Sequence, residues 1–470
     1  MSRARIVAFA GIVVVATVWL SSVGCSSPSR EEAWAYEVQV GADAAQLRLQ
    51  AELPAGVARE LSVNRGAEPF VHDVVLVDGE DSISLARRQD SWWIPESQEG
   101  PYLIRWTFDL AAAAAAMRHP RRALQVPGGY LSPPSAWLLR PMRFFKDTPV
   151  HLRVAEDSRP YFATGLHGGV ERGSHRFMSG QMAGLTYTAL GRFSSHRFAV
   201  RDAVLQVVVF DIGERIDPPG AAAWVAEAAA AVADWYGGLP VSEAMVFIVP
   251  RGHGVGHGTA LGRGGAAVLL PVARNDTIES LRQDWVLVHE LVHFAFPQVA
   301  ERHHWIEEGL ATYVEPLVRW RVGLIDEDQF WTDLVRGLPQ GLPKANDRGL
   351  DHTATWGRTY WGGALFCFLA DLEIIRRSEG RLRLRDALSA IVASGGNFCE
   401  DWDISVALRT GDRSLGFEVL EPLYQAMKAD PYPVDLPAIW DRLGVRVRGR
   451  EVRYDDDAPE AWIRRAIDAR

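Results

Sequence analysis

A change of hydrophobic period along the chain is the feature that most constrains its fold. Between residues 36 and 205, apolar residues alternate with polar ones in short runs, at 36–40, 46–51, 70–77, 102–110, 150–154 and 203–210, with Gly, Pro and Asp between them. Period two marks half-buried strands. A run of alanines, 111–116, interrupts them as one short helix. After Pro218-Pro219 the pattern becomes helical, at 221–236, 277–296, 305–318, 326–335, 360–376, 382–392 and 415–427. Strands at 244–249 and 266–270 punctuate it, and a small β element at 445–454 closes the chain. The order predicts a multidomain α+β protein. It has a mostly antiparallel N-terminal β domain (36–205), an α/β core (206–320) and a largely helical C-terminal portion (321–470). With 48% hydrophobic and 10% aromatic residues, the chain has the apolar surface such cores require.

The balance of 50 Lys and Arg against 59 Asp and Glu, a net charge of −9, argues against a nucleic-acid surface, which needs clustered excess cations. Three cysteines exclude a disulfide framework and any four-cysteine zinc module. One of the three ends a leader. Met1-Ser2-Arg3-Ala4-Arg5 precedes an apolar run, 6–20, and Ser-Ser-Val-Gly-Cys25 follows it. That run of 15 residues is shorter than the roughly 20 of a spanning helix and has the form of an export signal. Val23 and Gly24 before Cys25 resemble a bacterial lipobox, with Ser22 in place of the usual Leu. The reading is a signal peptide over 1–24, lipidation at Cys25 and a tether over 25–35. The protein would then be exported to the bacterial cell envelope and anchored to a membrane by lipid. Ordinary cleavage or an uncleaved anchor are the alternatives. Cys367 and Cys399 could pair, although Cys367 lies in an apolar helical run that suits a free thiol.

The chemistry concentrates at His289-Glu290-Leu291-Val292-His293, an H-E-x-x-H inside an apolar helix. On a helix residues i and i+4 share a face, so both imidazoles can meet one metal ion while Glu290 reaches a water beside it. Two imidazoles and a carboxylate among Trp285, Val288, Leu291 and Phe296 would be costly to bury without a ligand. A catalytic zinc needs a third protein ligand. The pattern that would place it at residue 299 fails, since Val299 stands there and Phe296 replaces the required glycine. The Gly-rich stretch 262–267 formally matches a dinucleotide fingerprint, but a strand rather than a helix follows it.

Trp305-Ile-Glu-Glu308-Gly309-Leu-Ala-Thr-Tyr313-Val-Glu315 resembles the W-x-x-E-G-x-A-x-Y-x-E block of gluzincin peptidases similar to aminopeptidase N and the glycyl aminopeptidases. Tyr360-Trp-Gly-Gly363 resembles their Y-x-x-G helix start. The resemblance implies a thermolysin-like α/β catalytic domain holding one Zn2+ per chain. His289, His293 and Glu308 would be its ligands, with Glu315 behind a ligand histidine, Glu290 as general base and Tyr360 as oxyanion donor. It implies hydrolysis of a peptide or protein substrate. His352 and Arg358 are candidate substrate contacts, and His253 and His257 in the Gly-rich loop are two more.

In aminopeptidase N relatives a G-x-M-E-N strand lines the cleft, and its Glu grips the substrate α-amine. At the corresponding place this chain reads Gly264-Gly265-Ala266-Ala267-Val268, which could still pair with an extended peptide but carries no acid. The expectation is a peptidase that is not strictly an aminopeptidase, with Glu307 the nearest replacement anchor. An aminopeptidase with a different anchor, a hydrolase of non-peptide bonds, or a non-catalytic envelope lipoprotein that kept the fold are the alternatives. The intact Glu290 argues against the last.

Overall fold

The computed structural model describes residues 33–467 except 42, 167–172, 214, 253 and 450. The leader, Cys25, most of the tether and His253 lie outside the described residues. Among the described residues no helix is long and apolar enough to cross a membrane.

The N-terminal region is built on a seven-stranded sheet in which every pair is antiparallel except Trp34–Val40 beside Pro149–Val154. Alternate residues of Trp34–Val40 are buried, as its period-two pattern demands. Its core gathers Trp34, Tyr36, Trp106, Phe108 and Trp137, and the Trp106 indole N–H is satisfied by the Trp137 carbonyl at 3.0 Å. Two four-stranded sheets flank it. Leu110–Met117 is the expected alanine helix, capped by Asp109.

A five-stranded sheet follows, ordered Ser194–Val200, Ala203–Val209, Glu243–Pro250, Ala267–Val272 and Thr259–Leu261. The middle three strands are parallel and both outer ones antiparallel. The hairpin 194–209 belongs to this sheet, so strand pairing runs straight across residue 205. Val207, Val209, Val246, Ile248, Val268 and Leu270 point toward the helices. Val208, Phe210, Phe247, Val249 and Leu269 point the other way, onto Leu131, Ala163 and Tyr187 of the N-terminal region. Burial on both faces explains why these strands read as unbroken apolar runs.

Helix Pro218–Tyr236 starts at Asp217, whose carboxylate accepts from the Gly220 N–H at 2.7 Å, and stops at Gly237 in the left-handed region. The helical pattern at 277–296 is realised as two helices, Ile278–Gln283 and Val286–Val292, and a 3-10 turn, His293–Ala295. The break falls at Asp284, extended in backbone, whose carboxylate takes the Val286 N–H at 2.7 Å. The helix expected at 415–427 begins only at Leu420 and runs to Met427, and a helix that the sequence pattern left out, Ile404–Leu415, precedes it and is ended by Gly416 at φ 79°. Leu436–Leu443 is a further helix that the sequence pattern left out. One apolar cluster runs from Val200 to Ile467, so the C-terminal helices and the five-stranded sheet share a core. Cys367 is buried and Cys399 half-buried, and both are free thiols.

Candidate metal centre

Helix Val286–Val292 lies against the sheet by its apolar face, through Leu287, Val288 and Leu291, which leaves His289 and Glu290 facing the open edge of the sheet. His293 opens the 3-10 turn, and its ring centroid still stands 4.9 Å from that of His289. Helix His304–Arg321 crosses beneath and delivers Glu308. Both imidazoles aim Nε2 at one carboxylate oxygen, Glu308 Oε2, at 3.2 Å from His289 and 3.7 Å from His293. One donor atom from each of the three residues falls within 4.8 Å of the others.

The electrostatics suit a cation. Burial alone would raise the Glu308 carboxyl, yet His293, His289 and His304 hold it well below the usual carboxylate range. Burial pushes His293 down to about 4, so its ring is neutral and free to donate a lone pair. Burial also opposes charge on His289, but Glu308, Glu290 and Glu315 outweigh it and leave the group raised. The buried Nδ1 of His293 has no hydrogen-bond partner. Two imidazoles and an ionised carboxylate around one point form the N/O donor set that zinc takes in sites with an open position.

Glu290 sits beside this triad, pushed up to about 7 by burial and drawn back partly by His289 and by the Ala260 backbone N–H. That N–H belongs to the edge strand Thr259–Leu261. Gly258 lets the two approach, since a Cβ there would lie 2.4 Å from Glu290 Cγ. Tyr360 stands over His289, ring centroids 6.4 Å apart and nearly parallel, and burial near Glu308 and Glu290 pushes its phenol up to about 12. It projects from a π-turn, Gly357–Gly362, where the expected helix begins with a wider loop. Glu315 is buried and paired with Arg319 at 3.0 Å, and its charge reaches His289 from behind.

Several expected positions are corrected. Ala267 starts a strand paired on both sides, and Gly262–Gly265 is the tight turn leading into it, so 264–267 offers no free edge. The free edge is Thr259–Leu261, three residues inside the Gly-rich loop and too short to show a period. Glu307 is occupied by the Val299 N–H at 3.2 Å and by His304 Nδ1 at 2.9 Å, so it is a structural group rather than an amine anchor. Arg358 is buried in an ion pair with Asp347 at 2.8 Å, which removes it from substrate contact. His257 and His352 are exposed. Sequence reasoning weighed His304 only as a third metal ligand, and not as the group whose Nε2 holds the second oxygen of Glu308, Oε1, at 3.3 Å. It passed over Trp356, exposed and stacked on Tyr360. The i to i+4 spacing of His304 and Glu308 was the signal available.

Comparison of the sequence with protein-family models and with curated proteins finds no match. Solved structures do match. An aminopeptidase N family protein from Idiomarina loihiensis superposes with a TM-score of 0.65 at 14% identity, over 88% of this chain and 78% of that one. A variant of an M1 zinc metallopeptidase from Deinococcus radiodurans gives 0.52 at 15% identity, over 86% and 95%. The same variant with a Tyr-Ser-Ala substrate bound gives the same values. The chain has their fold. At this identity the likeness extends to the architecture alone, and what the centre can do rests on this chain's own residues.

Proposed function

We propose that this protein is a zinc-dependent peptidase of the gluzincin type. The observation that carries the reading is the buried triad of His289, His293 and Glu308, with Glu290 at its side, opening onto an unpaired strand edge. Zinc held by the three side chains supplies Lewis acidity, lowering the pKa of a water and polarising a carbonyl. The edge strand Thr259–Leu261 pairs with an extended peptide and sets its scissile bond over the triad. A Glu290 oxygen takes the proton of the attacking water and passes it to the leaving amine, a role suited to a carboxylate whose pKa burial brings near neutrality. Tyr360, protonated across the physiological range, donates its hydroxyl proton in a hydrogen bond to the carbonyl oxygen as charge develops there. Glu315 fixes His289 from behind, and the Arg319 pair keeps Glu315 itself in place.

The test is zinc analysis of the purified chain with digestion of a peptide library. One zinc per chain is expected, lost in His289→Ala, His293→Ala and Glu308→Ala. Glu290→Gln should keep zinc and lose ~10²–10⁴-fold in kcat, and Tyr360→Phe about 10²-fold. Full activity in Glu290→Gln, or no hydrolysis of any peptide by the zinc-loaded wild type, would overturn the assignment.

A further inference from the structure

Beside the cleft, the N-terminal region forms an open cavity of about 590 Å³ whose lining includes Arg65, His119, Arg121, Arg122 and Leu185 and no acidic residue. Among the described residues none of its three arginines pairs with a carboxylate within ion-pair distance, in a chain whose net charge is −9. Cations concentrated on one concave wall draw anions. A short turn presents Arg121 and Arg122, closed by hydrogen bonds from His119 N–H to Ala123 O and from Arg122 N–H to His119 O, each 3.0 Å. The Arg122 carbonyl is held by the Ser132 hydroxyl at 2.9 Å.

The segment 185–187 links cavity and cleft. Leu185 lines the cavity, and Thr186 donates its hydroxyl to the Gly265 carbonyl at 3.3 Å. Tyr187 is fully buried, with a hydroxyl that makes no well-formed hydrogen bond although Thr259 and Arg121 lie beside it. Arg121 also lies within electrostatic reach of Glu290. The groups gathered at this end of the edge strand are therefore a guanidinium and two hydroxyls, with the Glu290 carboxylate on the metal side. On the cavity side, where no acidic residue lines the wall, a carboxylate would find a guanidinium able to bind it with two parallel hydrogen bonds.

The geometry points to a carboxylate-binding subsite, with Arg121 at its centre and Arg65 and Arg122 around it, that seats an acidic group of the peptide lying on the Thr259–Leu261 edge. The carboxylate comes from an Asp or Glu side chain or from a chain terminus. The inference rests on the peptidase reading for its substrate class, so its test is read by binding.

The full zinc-loaded Glu290→Gln chain, which holds peptide without turnover, is titrated with fluorescein-labelled, N-acetylated, C-amidated alanine-rich peptides. One Glu is walked along the series, each peptide has a Gln twin, and one further Gln peptide carries a free C-terminal carboxylate. At least one Glu position, or the free carboxylate, should bind about 10-fold more tightly than its neutral twin, and less so as salt rises. Arg121→Gln with Arg122→Gln should bring the pair to within about twofold, and Arg121→Lys should keep part of the preference. These arginines are exposed, so the variants fold. Equal binding of all acidic and neutral twins, or a preference that survives the double variant, overturns the subsite. Acid-selective binding without cleavage by the wild type leaves the subsite standing and removes the peptidase reading instead.

Discussion

Glu308 presents its two oxygens to different neighbours, and the difference sets its geometry. Oε2 faces the Nε2 atoms of His289 and His293, while Oε1 is turned toward His304 Nε2. His304 is held in turn by Glu307, and its bonds to Glu307 and Glu308 together raise it to about 10 and keep it cationic. The dyad therefore fixes which oxygen a metal meets. His304→Ala should weaken zinc binding by about 10–100-fold without loss of fold, read by competition with a chromophoric chelator, and His304→Gln should recover part of it. An unchanged affinity would mean that the helix alone orients Glu308. The histidine pair was legible in the sequence because i, i+4 spacing is a local property, whereas Glu308 was reached only through the resemblance of its block to that of gluzincin peptidases. The division of labour in His303-His304-Trp305-Ile306-Glu307-Glu308 was not legible, because it is decided by partners elsewhere. His303 Nδ1 pairs with Asp351 at 2.9 Å, and Glu307 reaches back to Val299.

At the scale of elements, the centre depends on a close crossing between helix His304–Arg321 and helix Gly363–Arg377. Gly309 and Gly363 meet there. A Cβ on Gly363 would stand 2.1 Å from the Trp305 carbonyl and 2.7 Å from Gly309 Cα, both backbone atoms that cannot swing aside. The glycine after Glu308 and the one three residues after Tyr360 are thus packing requirements that bring the Glu308 carboxylate and the Tyr360 phenol to the same centre. Gly363→Ala should cost about 1–3 kcal/mol in denaturant unfolding and reduce kcat more than zinc affinity, because it displaces Tyr360 relative to the triad. Wild-type stability would show that the helices can part freely. The long helix Pro218–Tyr236 with its stop at Gly237 was predictable from sequence, whereas Ile404–Leu415 and Leu436–Leu443 were not read although glycines end them too. The edge strand Thr259–Leu261 was not predictable, because three residues between glycines carry no period and only pairing with Ala267–Val272 defines them.

Across the whole molecule, the two faces of the five-stranded sheet belong to different parts of the chain. Helices cover one face, and Leu131, Ala163, Tyr187 and Ala189 cover the other, with Tyr187 edge-on to Phe247 at 5.8 Å between ring centroids. Neither part can release the other without wetting Val208, Phe210 and Leu269, each less than 5% exposed. Scanning calorimetry should therefore record one cooperative transition for the full chain, with calorimetric and van't Hoff enthalpies in agreement. Two resolved transitions would mean that the seam adds little. The same seam limits how such proteins can be recombined. A chimera joined near residue 192 would take Tyr187 and the arginine wall from one parent and the metal triad from the other. It would inherit its selectivity and its catalytic residues from separate ancestors, and its viability would depend on how well two foreign surfaces interlock beneath the cleft.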